Sequence, residues 1–377
     1  MPAEREEVCR ATAEALERAA GTLGSVGALV GFDGFVDEIV AVVDKRYDAG
    51  RYDPVETIAA MARKILGAAG ESTNYELVVK QRKLGGNGPI MANALASLGL
   101  DVTYIGNLGY PAIHPVFAPF AARAKVITIA EPGHTDALEF TDGKLMMGKA
   151  DSLGDVNWPN LMERVGRGRF EGLVRGARLV GLLNWTMLPR MGEIWDRLLD
   201  EVLPGTPRDG RTLFVDLADP EKRTREDLRG ALATIGRFQE HLDVILGLNL
   251  KEATQICDVL ELPDHGDREA SIEEDAAAIR RALGVACVVI HPRKAAAAAT
   301  EGGSARFGGP FVQNPKISTG AGDHFNAGFC LGRVLGLGLE ESLCAGVASS
   351  GYYVRSAASP SALDLARFVA ELPPPEA

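Results

Sequence analysis

Short, nearly continuous apolar runs recur along this chain, separated by longer stretches whose apolar residues return every three or four positions. The runs are "VGALVGF" from Val26, "DVTYIGNLG" from Asp101, "ARLVGLLNW" from Ala177, "TLFVDLA" from Thr212, "LDVILGLN" from Leu242 and "ACVVIHP" from Ala286. They have too few polar interruptions for a solvated face, so they predict strands buried on both sides. Between them "PIMANALASLG", "MGEIWDRLLDEVL" and "SIEEDAAAIRRALG" follow the helical period. Strand and helix alternating in this way predict an α/β fold. It would be a three-layer, doubly wound, mostly parallel sheet flanked by helices, with right-handed crossovers.

Two segments break the rhythm. "YELVVKQRKLGG" from Tyr75 alternates in period two, with charges on one set of positions. "ALEFTDGKLMMG" from Ala137 has two short alternating runs around Asp142-Gly143, a two-residue hairpin signal. Both predict antiparallel strands with one polar face. They are assigned to a small β-sheet lid, with segments within 35–50, 72–86 and 134–150. "LPGTPRDGR" and "ELPDHGDRE" read as loops too short to part domains. "KAAAAAT" from Lys294 is biased in composition but short, and the terminal "PPPEA" reads as a frayed tail. With no internal repeat, residues 1–377 read as one α/β domain.

Composition narrows the partners. The 51 acidic and 40 basic residues leave a net charge of -11, with no dense Lys/Arg run. That argues against a nucleic-acid partner, which needs a basic face. No apolar stretch has the length of a membrane span. The N-terminal "MPAEREEVCRATAEALERAAGTLG" is charged and helical in pattern, unlike a signal peptide. Five scattered cysteines without a C-x-x-C pair point to reduced thiols in the cytoplasm.

Candidate chemistry concentrates in "STGAGDHFNAGFCLGRVLG", from Ser318. Gly320 and Gly322 precede a helix that Ala327, Gly328 and Gly332 mark as tightly packed. Glycines that turn N–H groups to a common point, together with a helix N-terminus, make an anion hole. Asp323 falls at its mouth. A carboxylate there suits phosphoryl transfer: the hole takes the developing charge and the carboxylate takes a proton from the attacking hydroxyl. At an ordinary pKa near ~4 it would be ionised at neutral pH. His324 reads as a first-turn helix residue, and His114 and His134 as isolated. "GKLMMGKA", Gly143 to Ala150, matches G-x-x-x-x-G-K. It ends in alanine where a P-loop needs Ser or Thr, and it begins in a hairpin turn, so it is set aside. There is no G-x-G-x-x-G for a dinucleotide.

"TGAGDHFNAGF" resembles the C-terminal signature of the ribokinase-like (PfkB-type) carbohydrate kinases. "LGGNGPIMANALASLGLDVTYIGNLG", Leu84 to Gly109, resembles the N-terminal signature. Asn249 to Glu252 in "GLNLKEA" resembles the family's N-x-x-E, and "VDLADPEKR" from Val215 is a weaker echo. The resemblance spans most of the chain. It implies ATP as donor, Mg²⁺, and a sugar or nucleoside hydroxyl as acceptor. It makes Asp323 the base and the backbone of Gly320, Ala321 and Gly322 the anion hole. Asn249 and Glu252 would serve magnesium through water as well as phosphate, with Thr319 near the nucleotide. In "GFDGFVDEI" it assigns Asp37 to sugar hydroxyls, with Asp33 in reserve. Gly86 and Asn87 would reach the same sugar. Asn184 would face the cleft or make a loop hydrogen bond.

The chain also departs from the family. Ile90 stands where many members have a sugar-binding asparagine, and Asn93 is displaced by three residues. His291-Pro292-Arg293-Lys294 replaces a T-x-G turn, so that Arg293 or Lys294 would supply charge to the nucleotide. Ile317 replaces an aspartate, which leaves monovalent-cation activation open. An ADP-dependent sugar kinase, a nucleoside kinase and a catalytically silent sugar sensor are the alternatives. The exposed hairpin edge would permit a homodimer through the lid.

Overall fold

A computed structural model of the chain describes residues 3–263 and 265–375. Among these the strands are, in order, β1 (Gly27–Phe32), β2 (Phe35–Arg46), β3 (Tyr52–Pro54), β4 (Leu77–Gly85), β5 (Asp101–Gly106), β6 (Lys125–Thr128) and β7 (Gly133–Phe140). They continue as β8 (Gly143–Lys149), β9 (Leu179–Leu183), β10 (Thr212–Asp216), β11 (Asp243–Leu248), β12 (Cys287–Ile290), β13 (Ala295–Thr300) and β14 (Gly303–Gly308).

The main sheet runs in the order β14-β13-β12-β11-β10-β9-β1-β5-β6. All pairs from β6 across to β12 are parallel, while β13 and β14 close one edge antiparallel. The chain leaves β1 toward β5 and β6 on one side and later returns to build β9 to β12 on the other. The topological switch therefore lies between β1 and β9, and a crevice opens there at the carboxyl ends of the strands.

The apolar runs form strands because each feeds two cores at once. In β10, Leu213 and Val215 pack with Trp195 and Phe238 on one face, and Phe214 packs with Phe325 and Phe329 on the other. Each such burial contributes about 1.5–3 kcal/mol. The helices Ala321–Val334 and Leu339–Ser356 meet at glycine, as the small residues of the first predict. A Cβ on Gly328 would lie 2.5 Å from the Ala345 carbonyl oxygen.

The short, biased "KAAAAAT" enters the main sheet from Ala295 on. It forms β13, a fully buried strand with Ala295, Ala297 and Ala299 in one core and Ala296 and Ala298 in the other. Alanine is a poor strand former; helices close above and below leave room for nothing larger. The first residue of "PPPEA" is tied down, since Arg5 donates to the Pro373 carbonyl at 3.1 Å, and Glu376 and Ala377 lie outside the described residues.

The small sheet runs β3-β2-β7-β8, with β4 on the other side of β2. The pairs β2–β4 and β7–β8 are antiparallel, but β2 and β7 are parallel. The β7–β8 turn is Thr141-Asp142, one residue before the predicted position, because Phe140 pairs with Gly143. Val40, Val42, Leu138 and Met61 form a separate small core behind this sheet. Its other face carries Asp37, Lys83, Thr135 and Lys144 in register.

Candidate active site

The carboxyl ends of the parallel strands deliver a row of polar residues. Asp33 follows β1, Asn184 follows β9, Asp216 ends β10, Asn249 follows β11 and His291 follows β12. Each is the first polar residue after an apolar run, so burial of the strand sets its position.

Asp33 is fully buried and accepts from the Asn87 and Gly88 backbone N–H groups at 3.0 and 2.8 Å and from Asn184 Nδ2 at 2.8 Å. Its carboxylate thus caps the helix Asn87–Leu98. The glycines of "LGGNG" leave room for this carboxyl and for its neighbour. A Cβ on Gly86 would lie 2.8 Å from Asp33 Oδ2, and one on Gly85 would lie 2.4 Å from Asp37 Cγ. Asp33 is thus committed to scaffolding. Asp37, on β2, is buried against Gly85 and faces the crevice beside Lys83 and Lys144. Asn184, in a left-handed conformation (φ 60°), spends its amide on Asp33 and on the Met187 N–H, so it makes the loop bond.

Asn87 links this scaffold to the glycine turn, since its Nδ2 donates to Asp323 Oδ1 at 3.1 Å. Gly320 has φ 92° and caps the helix Ala321–Val334. The Ala321 N–H is drawn to Ser318 O at 3.2 Å, whereas those of Gly322 and Asp323 meet no backbone carbonyl among the described residues. Asp323 is not an ordinary carboxylate. Burial, opposed by the Asn87 bond and aided by the Asp33 charge, pushes its pKa up to about 8. The expected value near ~4 assumed a solvated group.

Asn249 and Glu252 form a reciprocal capping box at the start of the helix Leu250–Val259. The second oxygen of Glu252 accepts from the Asp219 N–H at 2.8 Å. Asp216, which the sequence reading passed over, accepts from Asn326 Nδ2 at 3.0 Å and from the Ala218 N–H at 2.8 Å. Burial, then the charges of Glu252 and Asp323, raise its pKa well above the usual range. The signal for it was present in "TLFVD", an apolar run ending on an acid, as "VGF" ends on Asp33. This buried acidic set has the chemistry of a divalent-cation environment. Among the described residues no three His, Cys, Asp or Glu side chains are arranged to hold an ion directly.

Beyond the turn lies a cavity of about 580 Å³, lined by His291, Arg293, Phe311, Thr319, Gly322 and Val347 among others. The volume suits a nucleotide. His291 lies against Gly322, stacks on Phe325 at 4.6 Å and is held neutral by burial, which lowers its pKa to about 4. Arg293 is exposed at the rim. A second cavity of about 340 Å³ lies on the other side of Thr319, with Lys83, Ile90 and Asn93 in its wall. His324 is structural, bonded through its two ring nitrogens to Gly320 O at 2.7 Å and Ser359 Oγ at 2.9 Å. His114 and His134 are not isolated: their rings meet edge to face at 6.4 Å. The five cysteines are free and buried. Among the described residues no helix is long and apolar enough to cross a membrane.

Comparison with known proteins agrees with this geometry. A family model described as prokaryotic ketohexokinase matches residues 5–372. A ketohexokinase of Haloferax volcanii is 31% identical over 344 residues, 90% of each chain. Among solved structures, an Arabidopsis thaliana ribokinase complexed with ribose and ATP superposes with a TM-score of 0.61 at 18% identity, over 91% of this chain and 98% of that one. An adenosine kinase from Sinorhizobium meliloti gives 0.61 at 17% identity, over 93% and 99%. At such identities the solved structures speak for the fold.

Proposed function

The chain belongs to the prokaryotic ketohexokinase family and is an ATP-dependent carbohydrate kinase; on that premise we propose that its acceptor is a hydroxyl of a ketohexose. The observation that supports the residue assignment is Asp323, buried at the mouth of the glycine turn with a pKa of about 8 and held by Asn87. The acceptor oxygen bonds to the γ-phosphorus as the bond to the departing ADP breaks, and the hydroxyl proton passes to Asp323. A base with a pKa near the working pH takes that proton far better than an ordinary carboxylate.

The N–H group of Gly322, which meets no backbone carbonyl among the described residues, faces the transferred group at the helix N-terminus. Asp37 holds sugar hydroxyls, with Gly85 and Gly86 leaving space for the acids. Arg293 and Thr319 line the donor cavity. Asn249 and Glu252, joined by Asp216, would hold magnesium through water, and the ion would supply charge neutralisation to the phosphates. The small sheet acts as a lid that keeps water from the crevice, within a single domain. Its exposed Leu77, Val79 and Met147 and the open edge of β8 favour a homodimer. Five free thiols and the need for ATP favour a cytoplasmic setting.

A coupled turnover assay across ketohexoses, aldoses and nucleosides, with ATP and ADP as separate donors, tests this reading. Turnover of a ketohexose with ATP is the expected result. Turnover confined to nucleosides would overturn the acceptor, and turnover confined to ADP would overturn the donor. Tight nucleotide binding with no turnover would favour the sensor. Sedimentation of the protein and of Met147→Lys tests the dimer.

A further inference from the structure

The segment Gly143 to Ala150, set aside as a P-loop, reaches the phosphoryl site by another route, through Lys144. Lys144 pairs with Glu139 across the β7–β8 hairpin, on the sheet face that carries Asp37, Lys83 and Thr135. From there its Nζ donates to Thr319 Oγ1 at 2.7 Å. Thr319 adjoins Gly320, the left-handed residue that starts the anion-hole helix. The tip of the hairpin is tied down, since Thr141 N–H donates to Glu56 O and Ile58 N–H to Asp142 Oδ1, both at 2.8 Å.

We propose that Lys144 is a catalytic residue of the kinase, a cation that the lid brings to the equatorial oxygens of the transferred phosphoryl group.

The inference rests on the kinase reading above and adds a residue that the glycine turn does not supply. An ammonium has three donors, and Thr319 takes one. The remaining two have no acceptor among the described residues, and no carboxylate lies within ion-pair distance. By contrast, Lys149 on the same strand is paired with Asp136 at 2.9 Å. Arg293 lines the donor cavity and Lys83 the smaller one, but neither is hydrogen-bonded to the glycine turn. Negative charge spreads over the transferred group in the transition state, so a cation placed there lowers the barrier more than it strengthens substrate binding. Because Lys144 belongs to the small sheet, the cation would act only while that sheet covers the crevice. This couples lid closure to turnover and disfavours transfer to water in an open site.

The test compares Lys144→Met and Lys144→Arg with the wild type. Methionine keeps the length of the side chain and removes its charge. We expect Lys144→Met to lower kcat about 10²–10³-fold. Its sugar KM, its nucleotide Kd by calorimetry and its melting temperature should stay near wild type, and Lys144→Arg should recover part of kcat. A Lys144→Met enzyme with wild-type kcat overturns the proposal, as does one in which only KM rises, since that would mark ground-state binding. A lower melting temperature with kcat intact would make Lys144 a prop for the hairpin and also overturn it. If the wild type phosphorylates no alcohol, the kinase reading fails and this inference with it. If the wild type is active and Lys144→Met matches it, only the inference fails.

Discussion

The two sheets carry charge in opposite ways. In the main sheet the parallel strands are largely apolar inside, and the acids at their carboxyl ends are buried and fixed by backbone N–H groups. Asp33 and Asp216 are held in this way. In the small sheet charges sit along the strands, and a core covers only one face. Asp37 and Lys144 come from the other face, and Lys144 is exposed. The main sheet thus supplies preorganised groups whose pKa values burial has moved, while the small sheet supplies one buried acid, Asp37, whose pKa burial also raises, and one cation, Lys144, that solvent still reaches. A site divided in this way combines rigidity for catalysis with access for substrate.

The largest expected effect tests the fixed half. Asp323→Asn should lower kcat about 10³-fold and leave nucleotide affinity nearly unchanged by calorimetry. Wild-type turnover would remove Asp323 as the base. Gly328→Ala strikes the packing beneath it, where a Cβ would meet the Ala345 carbonyl. Denaturant unfolding should show a loss of about 3 kcal/mol; a neutral result would mean that the two helices can part without cost. In the small sheet, Asp37→Asn should raise the sugar KM about 10-fold to 100-fold, the value of hydrogen bonds to a charged group, with nucleotide Kd unmoved. A kcat loss instead would place Asp37 with the fixed acids.

The smallest effect concerns pH and stability. Asp323 has a folded-state pKa of about 8, above the ordinary value of 3.8 for a solvated aspartate. The folded protein therefore holds this proton better than the unfolded chain does. Its contribution to stability is full below about 3.8 and is lost as pH rises toward about 8. Asp323→Asn should thus melt higher than wild type at neutral pH, by about 1 kcal/mol, while losing activity. In the wild type, kcat/KM should climb with pH up to about 8, and the variant should lack that limb. A kcat/KM profile flat from pH 5 to pH 8 would show that the base titrates as a solvated carboxylate.

The glycines show how much of the site could be read along the chain. Gly85, Gly86, Gly320 and Gly322 are conspicuous in sequence, and each lies where a carboxyl, a ring or a left-handed backbone leaves no space for a side chain. Asn249 and Glu252 were legible because a capping box is a local device. Asp216 was visible as an acid closing an apolar run, and its only other mark was the weak family echo of "VDLADPEKR". That the Asn87 helix and Asn184 engage Asp33 and not Asp37 was not legible, since it depends on the packing of segments distant in sequence.

Sequence alone determined the alternation of buried strands and helices, the glycine turn with Asp323, and the hairpin apart from the main sheet. All of these rest on periodicity and on local backbone preference, which act over a few residues. Tertiary structure decided the rest. It made a strand of five alanines by closing helices on both faces, moved the Asp323 pKa by removing water, and carried Lys144 to Thr319 through the register of a distant hairpin. Burial and register are properties of what surrounds a residue in space, and neighbours in sequence do not encode them.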